Sequence, residues 1–261
     1  MELFDLFYFI VGIIAGITSG LFGIGGGMII VPCMLVIGIS SHHAIGISVI
    51  QMIFSSIFGS YINYKKKKLN LKNGFIVGCG GILGASFSGE ILKILSDITL
   101  TGIFLATSCL FFLKYAFGIK ENPSEIQRSA WSKNIILFCA GAFTGIFAIS
   151  LGIGGGLLIA PILAYFLGYD SKKVTSLSLF FIIFASVSGS ISFLRLDVIN
   201  HLIIYKGIIV GIASMIGVLI GIKIMEKLRL SSHRKFLLCA YALSIAMTFF
   251  GLLRKLEFFT F

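Results

Sequence analysis

The sequence predicts an all-α polytopic membrane protein. It reads as two inverted repeats of about five hydrophobic segments, each with a glycine-tipped broken or re-entrant helical hairpin. Three observations predict this. First, 57% of the 261 residues are hydrophobic and only 12% are charged, where a soluble domain carries about 25% charged residues. Second, apolar runs fall roughly at 3–20, 28–39, 42–64, 73–95 and 98–118, and again at 134–150, 157–168, 171–194, 201–223 and 236–253. Third, one pattern occurs twice, 129 residues apart: Gly23-Ile24-Gly25-Gly26-Gly27 ahead of Pro32, and Gly152-Ile153-Gly154-Gly155-Gly156 ahead of Pro161.

The runs divide the chain into a first transmembrane repeat at 1–119, a polar inter-repeat loop at 120–133 and a second repeat at 134–261. Beyond the glycine pattern, Ser48 aligns with Ser178 and Gly59 with Gly189 at a shift of 130, and Gly74, Gly78 and Gly84 with Gly207, Gly211 and Gly217 at 133. Self-similarity of this kind marks an internal repeat. Nearly all the chain is membrane segment or short loop, which leaves no room for a soluble catalytic domain. The opening MELFDLFYF has no basic residue before its apolar run, unlike a cleavable signal peptide. The net charge of +11 sits in short loops. It reads as the positive-inside bias and not as a nucleic-acid surface. The cysteines Cys33, Cys79, Cys109, Cys139 and Cys239 are scattered singly, so neither disulfides nor a metal site are indicated.

The elements follow in order. The first segment carries Gly12, Gly16 and Gly20, a spacing that lets helix backbones approach. The second is too short to span: about 12 residues rise only ~18 Å against ~30 Å of hydrocarbon. The two together predict a hairpin with its glycine tip inside the membrane. The residue before a proline avoids the α region, and proline suits the first helical position. The second helix of each half therefore starts near its proline, Pro32 or Pro161, leaving Gly23–Val31 partly unwound in the first half, or else it starts near Met28 with the proline in its first turn. The third segment opens at His42-His43 and sets Ser48, Gln51 and Ser55 on one stripe. In the second half Thr175 and Ser178 keep the stripe, and Phe181 replaces Gln51. The fourth segments carry Gly74/Gly78, Gly80/Gly84, Gly207/Gly211 and Gly217/Gly221. Glu90 lies within a run with Lys93 three residues on, and reads as a proton relay or as an interfacial residue. An odd number of passes per half inverts the second. It gathers the basic loops at Lys65–Lys68, Lys114–Lys133, Lys172-Lys173 and Lys223–Lys235 on one side, with both termini on the other. The exception is the C-terminal Arg254-Lys255.

Three glycines in a row are costly in a helix. Broken helices in membranes survive only inside protein or beside a watery cavity. Paired breaks in two halves point to a transporter's substrate site. At each break a helix N-terminus gathers unpaired N–H groups and the positive dipole end, which attract an anion without a charged side chain. The candidate anion-binding residues are thus Gly25, Gly26, Gly27, Gly154, Gly155 and Gly156, with Ser48, Gln51, Ser178, Ser19 and Thr144 as side-chain donors. The bland alternative is that the glycines allow tight turns and the hydroxyls bond between helices. No lysine with serine or threonine follows either motif, so neither is a phosphate loop, and Met28 and Leu157 replace the last glycine of a dinucleotide fingerprint. No nucleophile with a base is found, so no catalytic residue, metal or cofactor is expected. The expected partners are a small anion, the lipid bilayer and a coupling proton or sodium ion.

The doubled G-x-G-G-G-x-x-x-x-P resembles the signature of the sulfite exporter TauE/SafE family, and His42-His43-Ala44-Ile45-Gly46-Ile47-Ser48 resembles its H-x-A-x-G-T-S stretch, with Ile47 in place of the threonine. The likeness covers almost the whole chain. It implies an inner-membrane permease for sulfite, organosulfonates or other sulfur-containing anions. An anion channel and a non-transporting assembly factor are the rival readings.

Overall fold

The computed structural model describes residues 3–117, 126, 128–228 and 230–256. Among these the chain is helical, without strands. The first half contributes α1 (Leu3–Phe22), α2 (Gly27–Val36), α3 (Ser41–Lys65), α4 (Leu71–Ser86), α5 (Ser88–Ile94) and α6 (Asp97–Phe117). The second contributes α7 (Ala130–Ser150), α8 (Gly156–Leu167), α9 (Ser171–Arg195), α10 (His201–Lys227) and α11 (Leu230–Lys255). Eight stretches are long and apolar enough to cross a membrane, counting Leu71–Ile94 as one. The two that are not are α2, of 10 residues, and α8, of 12. They are the segments that the glycine motifs precede. Polar caps start the long helices: the Ser40, Asn70, Ser129, Asp170 and Asn200 side chains accept from the first turns of α3, α4, α7, α9 and α10.

Part of the expected polar link is helical. α7 begins at Ala130, capped by Ser129, and most of 120–128 lies outside the described residues, as does Glu2.

The halves interlock. α1 packs on α10, and α7 packs on α4, through glycine faces. A Cβ on Gly12 would stand 2.5 Å from the Val210 carbonyl oxygen, one on Gly20 2.6 Å from that of Val218, and one on Gly145 2.8 Å from that of Gly81. Only glycine admits backbones this close. A second set of glycines receives large side chains: Phe180 sits over Gly74 and Phe184 over Gly78, while Ile50 sits over Gly207 and Phe54 over Gly211. Apart from Gly20–Val218, each contact has a counterpart in the other half at the offsets seen in the sequence: Gly141 lies on Val77 as Gly12 does on Val210, and Gly16 on Ser214 as Gly145 does on Gly81.

The loops sort to two ends. At one, Lys66 and Lys68 pair with Glu226 at 2.8 and 2.6 Å, Arg234 donates to the carbonyls of Tyr115 and Ala116, and His233 meets the Leu21 carbonyl. At the other, Lys255 pairs with Asp97 at 2.7 Å and donates to Ser41 and Thr101. There Asp97 also accepts the Ser41 N–H, and Arg254 donates to the Val36 carbonyl at the end of α2. This accounts for the C-terminal exception to the charge bias. Lys255 is neutralised by a carboxylate, and Arg254 meets the negative end of α2's dipole. Glu90 and Lys93 both lie exposed on α5.

Candidate functional site

The glycine segments lie at the centre of the interlock. Residues 19–32 and 148–157 are buried throughout. α1 ends at Phe22, and the chain stays unwound until α2 starts at Gly27. Gly23, Gly25 and Gly26 have φ of 69°, 89° and 86°, and Gly152 and Gly154 have 63° and 86°. Side-chain-bearing residues avoid this region, which is why the stretch needs glycine. The two segments run antiparallel in backbone contact. A Cβ on Gly27 would overlap the Gly152 carbonyl, one on Gly154 that of Ile24, and one on Gly156 that of Gly23.

The N–H groups of Ile24 to Met28 and of Gly155 to Leu158 make no backbone hydrogen bond among the described residues. Neither Gly26 nor Gly155, the residues preceding α2 and α8, supplies a side-chain cap. Two helix starts thus converge with free donors and with the positive ends of their dipoles. No charged side chain is among the fully buried described residues.

The predicted polar residues divide into two groups. Ser48 donates to the Gly152 carbonyl at 2.7 Å, and Ser178 donates to that of Gly23 at 2.8 Å. Each serine therefore fastens the tip of the opposite half. A hydroxyl has one proton to give, so in this conformation neither is offered to a solute. In the sequence the two serines appeared as an aligned pair of anion donors or, on the bland alternative, as bonds between helices; which carbonyl each one takes was not legible there. The second group is Ser19, Gln51 and Thr144. All are fully buried, and the Ser19 and Thr144 hydroxyls and both amide atoms of Gln51 lack partners. Gln51 Oε1 lies 3.0 Å from where a Gly26 Cβ would stand, and Met52 and Ile182 close over Gly25. Buried polar groups without partners cost about 1–3 kcal/mol each, and Gln51 carries that cost beside the free N–H groups at the start of α2.

The prolines are corrected. Pro32 and Pro161 do not start their helices: α2 begins at Gly27, at the alternative start expected near Met28, and α8 at Gly156, but both prolines fall at the sixth position and so beyond the first turn. A proline there donates no bond to the carbonyl four residues back, so the Met28 and Leu157 carbonyls lose a helical partner. The unwound stretch is correspondingly shorter than Gly23–Val31, because the glycine spacing and not the proline sets where winding resumes.

Eight apolar spans around two buried, unwound segments define a multi-pass membrane protein of the broken-helix class. The chain belongs to the sulfite exporter TauE/SafE family, whose profile matches residues 8–248. It is similar to a probable membrane transporter protein of Methanocaldococcus jannaschii, 30% identical across 84% of this chain and 85% of the relative. It is also similar to the probable membrane transporter proteins YdhB and YunE of Bacillus subtilis. These are 29% identical (83% of this chain, 90% of the relative) and 26% identical (74% and 79%). No solved structure matches. The protein is accordingly a membrane transporter and not an enzyme.

Proposed function

We propose that this transporter moves a small anion, sulfite or an organosulfonate or another sulfur-containing anion, by alternating access between two inverted repeats. The observation that carries the reading is the meeting of two buried helix starts with unpaired N–H groups, with no charged side chain among the fully buried described residues. Oriented amides of this kind bind oxyanions. Neutral donors hold an anion loosely enough for it to leave. The family description supports the sulfur-containing class. The paired contacts between halves support a two-fold relation between 1–119 and 134–261, and the sorting of Lys66, Lys68 and Arg234 to one end supports placing that end in the cytoplasm. Ser48 and Ser178 then act as positioning residues, exchanging tip carbonyls for solute as one repeat rocks on the other. A proton or sodium ion would supply the coupling.

The test is flux of sulfite, thiosulfate and sulfoacetate in proteoliposomes, comparing wild type with Gly26→Val, Gly155→Val and Gln51→Leu. Saturable uptake with counterflow is expected from the wild type and its loss from the glycine variants. Flux without counterflow would make the protein a channel. Wild-type liposomes no leakier than empty ones would refute transport of these anions.

A further inference from the structure

The two tips are matched in sequence and in backbone contact, yet their surroundings are not. On the first tip, Gln51 stands beside Gly26, with its amide unpartnered. The matched residue on the second tip is Phe181, fully buried, its ring wedged between Gly155 and Gly81. The match is secured by neighbours. Ile50 and Phe180 cover Gly207 and Gly74, Met52 and Ile182 both approach Gly25, and Phe54 and Phe184 cover Gly211 and Gly78. Two further exchanges point the same way. Ser19, buried and unpartnered, corresponds to Ala148, and Ser214 corresponds to the Gly81 that admits the phenylalanine ring. Thr144, opposite Ala15, and Ser150, opposite Leu21, run against the trend, though the Ser150 hydroxyl is taken by the Ile146 carbonyl. The backbone differs at the same place: Gly26 has φ of 86° but Gly155 has −71°.

We propose that the chain holds one monovalent anion at a time, at the start of α2 against Gln51, and that Phe181 permanently fills the matched place at the start of α8. This rests on the transport reading above and deepens it. The Gln51 amide can turn to present two N–H donors or one donor and one acceptor. An oxyanion that retains a proton, or a sulfonate, satisfies it either way. The site has amides and hydroxyls but no buried cation. The cost of stripping water from an ion rises with the square of its charge, and neutral donors repay a monoanion far better than a dianion. On the second tip an aromatic ring occupies the room a solute would need. The tip still serves, because its Gly152 carbonyl takes the Ser48 hydroxyl and lies against Gly27, which fixes where α2 starts.

Equilibrium binding of labelled sulfite to the purified full chain tests this, with methanesulfonate and sulfate as competitors. The expected stoichiometry is about one per chain, as for any single enclosed site. Gln51→Leu should weaken binding about 10–100-fold, the loss of one hydrogen bond to a charged group, with an apparent Tm at or above wild type because an unpartnered buried amide is gone. Phe181→Leu should leave affinity within about threefold, as expected of a packing residue. Sulfate should compete at least about tenfold less well than methanesulfonate. Two anions per chain, or equal losses from Gln51→Leu and Phe181→Leu, overturn the one-sided site while leaving anion transport standing. Equal competition by sulfate overturns the preference for a single charge. A wild-type chain that binds none of the three overturns this proposal and the transport reading together.

Discussion

Replacing Gly27 by alanine sets two effects of opposite sign against each other. Gly27 is the first residue of α2 and its φ is not positive, so helix propensity alone favours alanine by up to about 1 kcal/mol. Packing opposes it. The new methyl would overlap the Gly152 carbonyl and come within 2.5 Å of Ser48 Oγ and 2.7 Å of Met52 Cε. The Met52 terminus can swing aside. The Gly152 carbonyl cannot, because it is backbone and Ser48 holds it at 2.7 Å. Overpacking of this kind costs about 1–3 kcal/mol and occasionally more. At about 2–4 °C per kcal/mol for a chain of this size, we expect the apparent Tm in detergent to fall by roughly 2–10 °C. Sulfite flux should fall further, because the tips must separate in any exchange of access. Gly102→Ala is the control: nothing lies within 4 Å of its Cβ position on α6, so its Tm should hold or rise by up to about 4 °C. Thermal scanning of both variants decides the matter. A Gly27→Ala protein as stable as the Gly102→Ala protein would mean that the two tips do not touch.

Other outcomes follow from the same contacts. Ser48→Ala and Ser178→Ala each strand a buried tip carbonyl, and each should cost about 1–3 kcal/mol in thermal scans; a double variant no worse than either single would show that they brace one joint. Lys255→Met should lower the apparent Tm by more than Lys68→Met. Lys255 is only 16% exposed and bridges Asp97, Ser41 and Thr101, whereas Lys68 is 46% exposed and such surface pairs contribute about 0–1 kcal/mol; equal shifts would remove Lys255 as the tie between α11, α6 and α3. Gly16→Ile should prevent folding, since the Ser214 backbone fills the space where even a Cβ would stand; a monodisperse, thermally stable Gly16→Ile protein on size-exclusion chromatography would contradict the close α1–α10 seam. Single cysteines at Lys67 and Asp197, in a chain freed of its native cysteines, should label from opposite faces of the membrane, and labelling from one face would break the positive-inside assignment.

Much of this was readable from composition and spacing because lipid restricts the choices. A chain that is 57% hydrophobic in runs of about 20 must span as helices, and runs as short as α2 and α8 cannot span. The triple glycines marked the breaks for the same reason: no continuous helix prefers them. The proline was a weaker guide. It tolerates a position one turn into the helix when neighbours cover the freed carbonyl, so helix start and proline came apart by five residues.

The helical class, the two short segments, the paired breaks and the buried polar stripe were determined by the sequence by itself, since each depends on neighbours along the chain. The tertiary structure alone decided what those features touch. That Ser48 fastens Gly152 while Ser178 fastens Gly23, and that α1 lies on α10, depend on contacts between residues some 100 to 200 positions apart, and that Phe181 blocks one tip while Gln51 attends the other depends on how α3 and α9 cross those tips. Hydrophobic periodicity cannot order such contacts, because lipid and protein interior are equally apolar. Close backbone approach and a handful of hydrogen bonds select the arrangement, and these exist only once the two halves have interlocked.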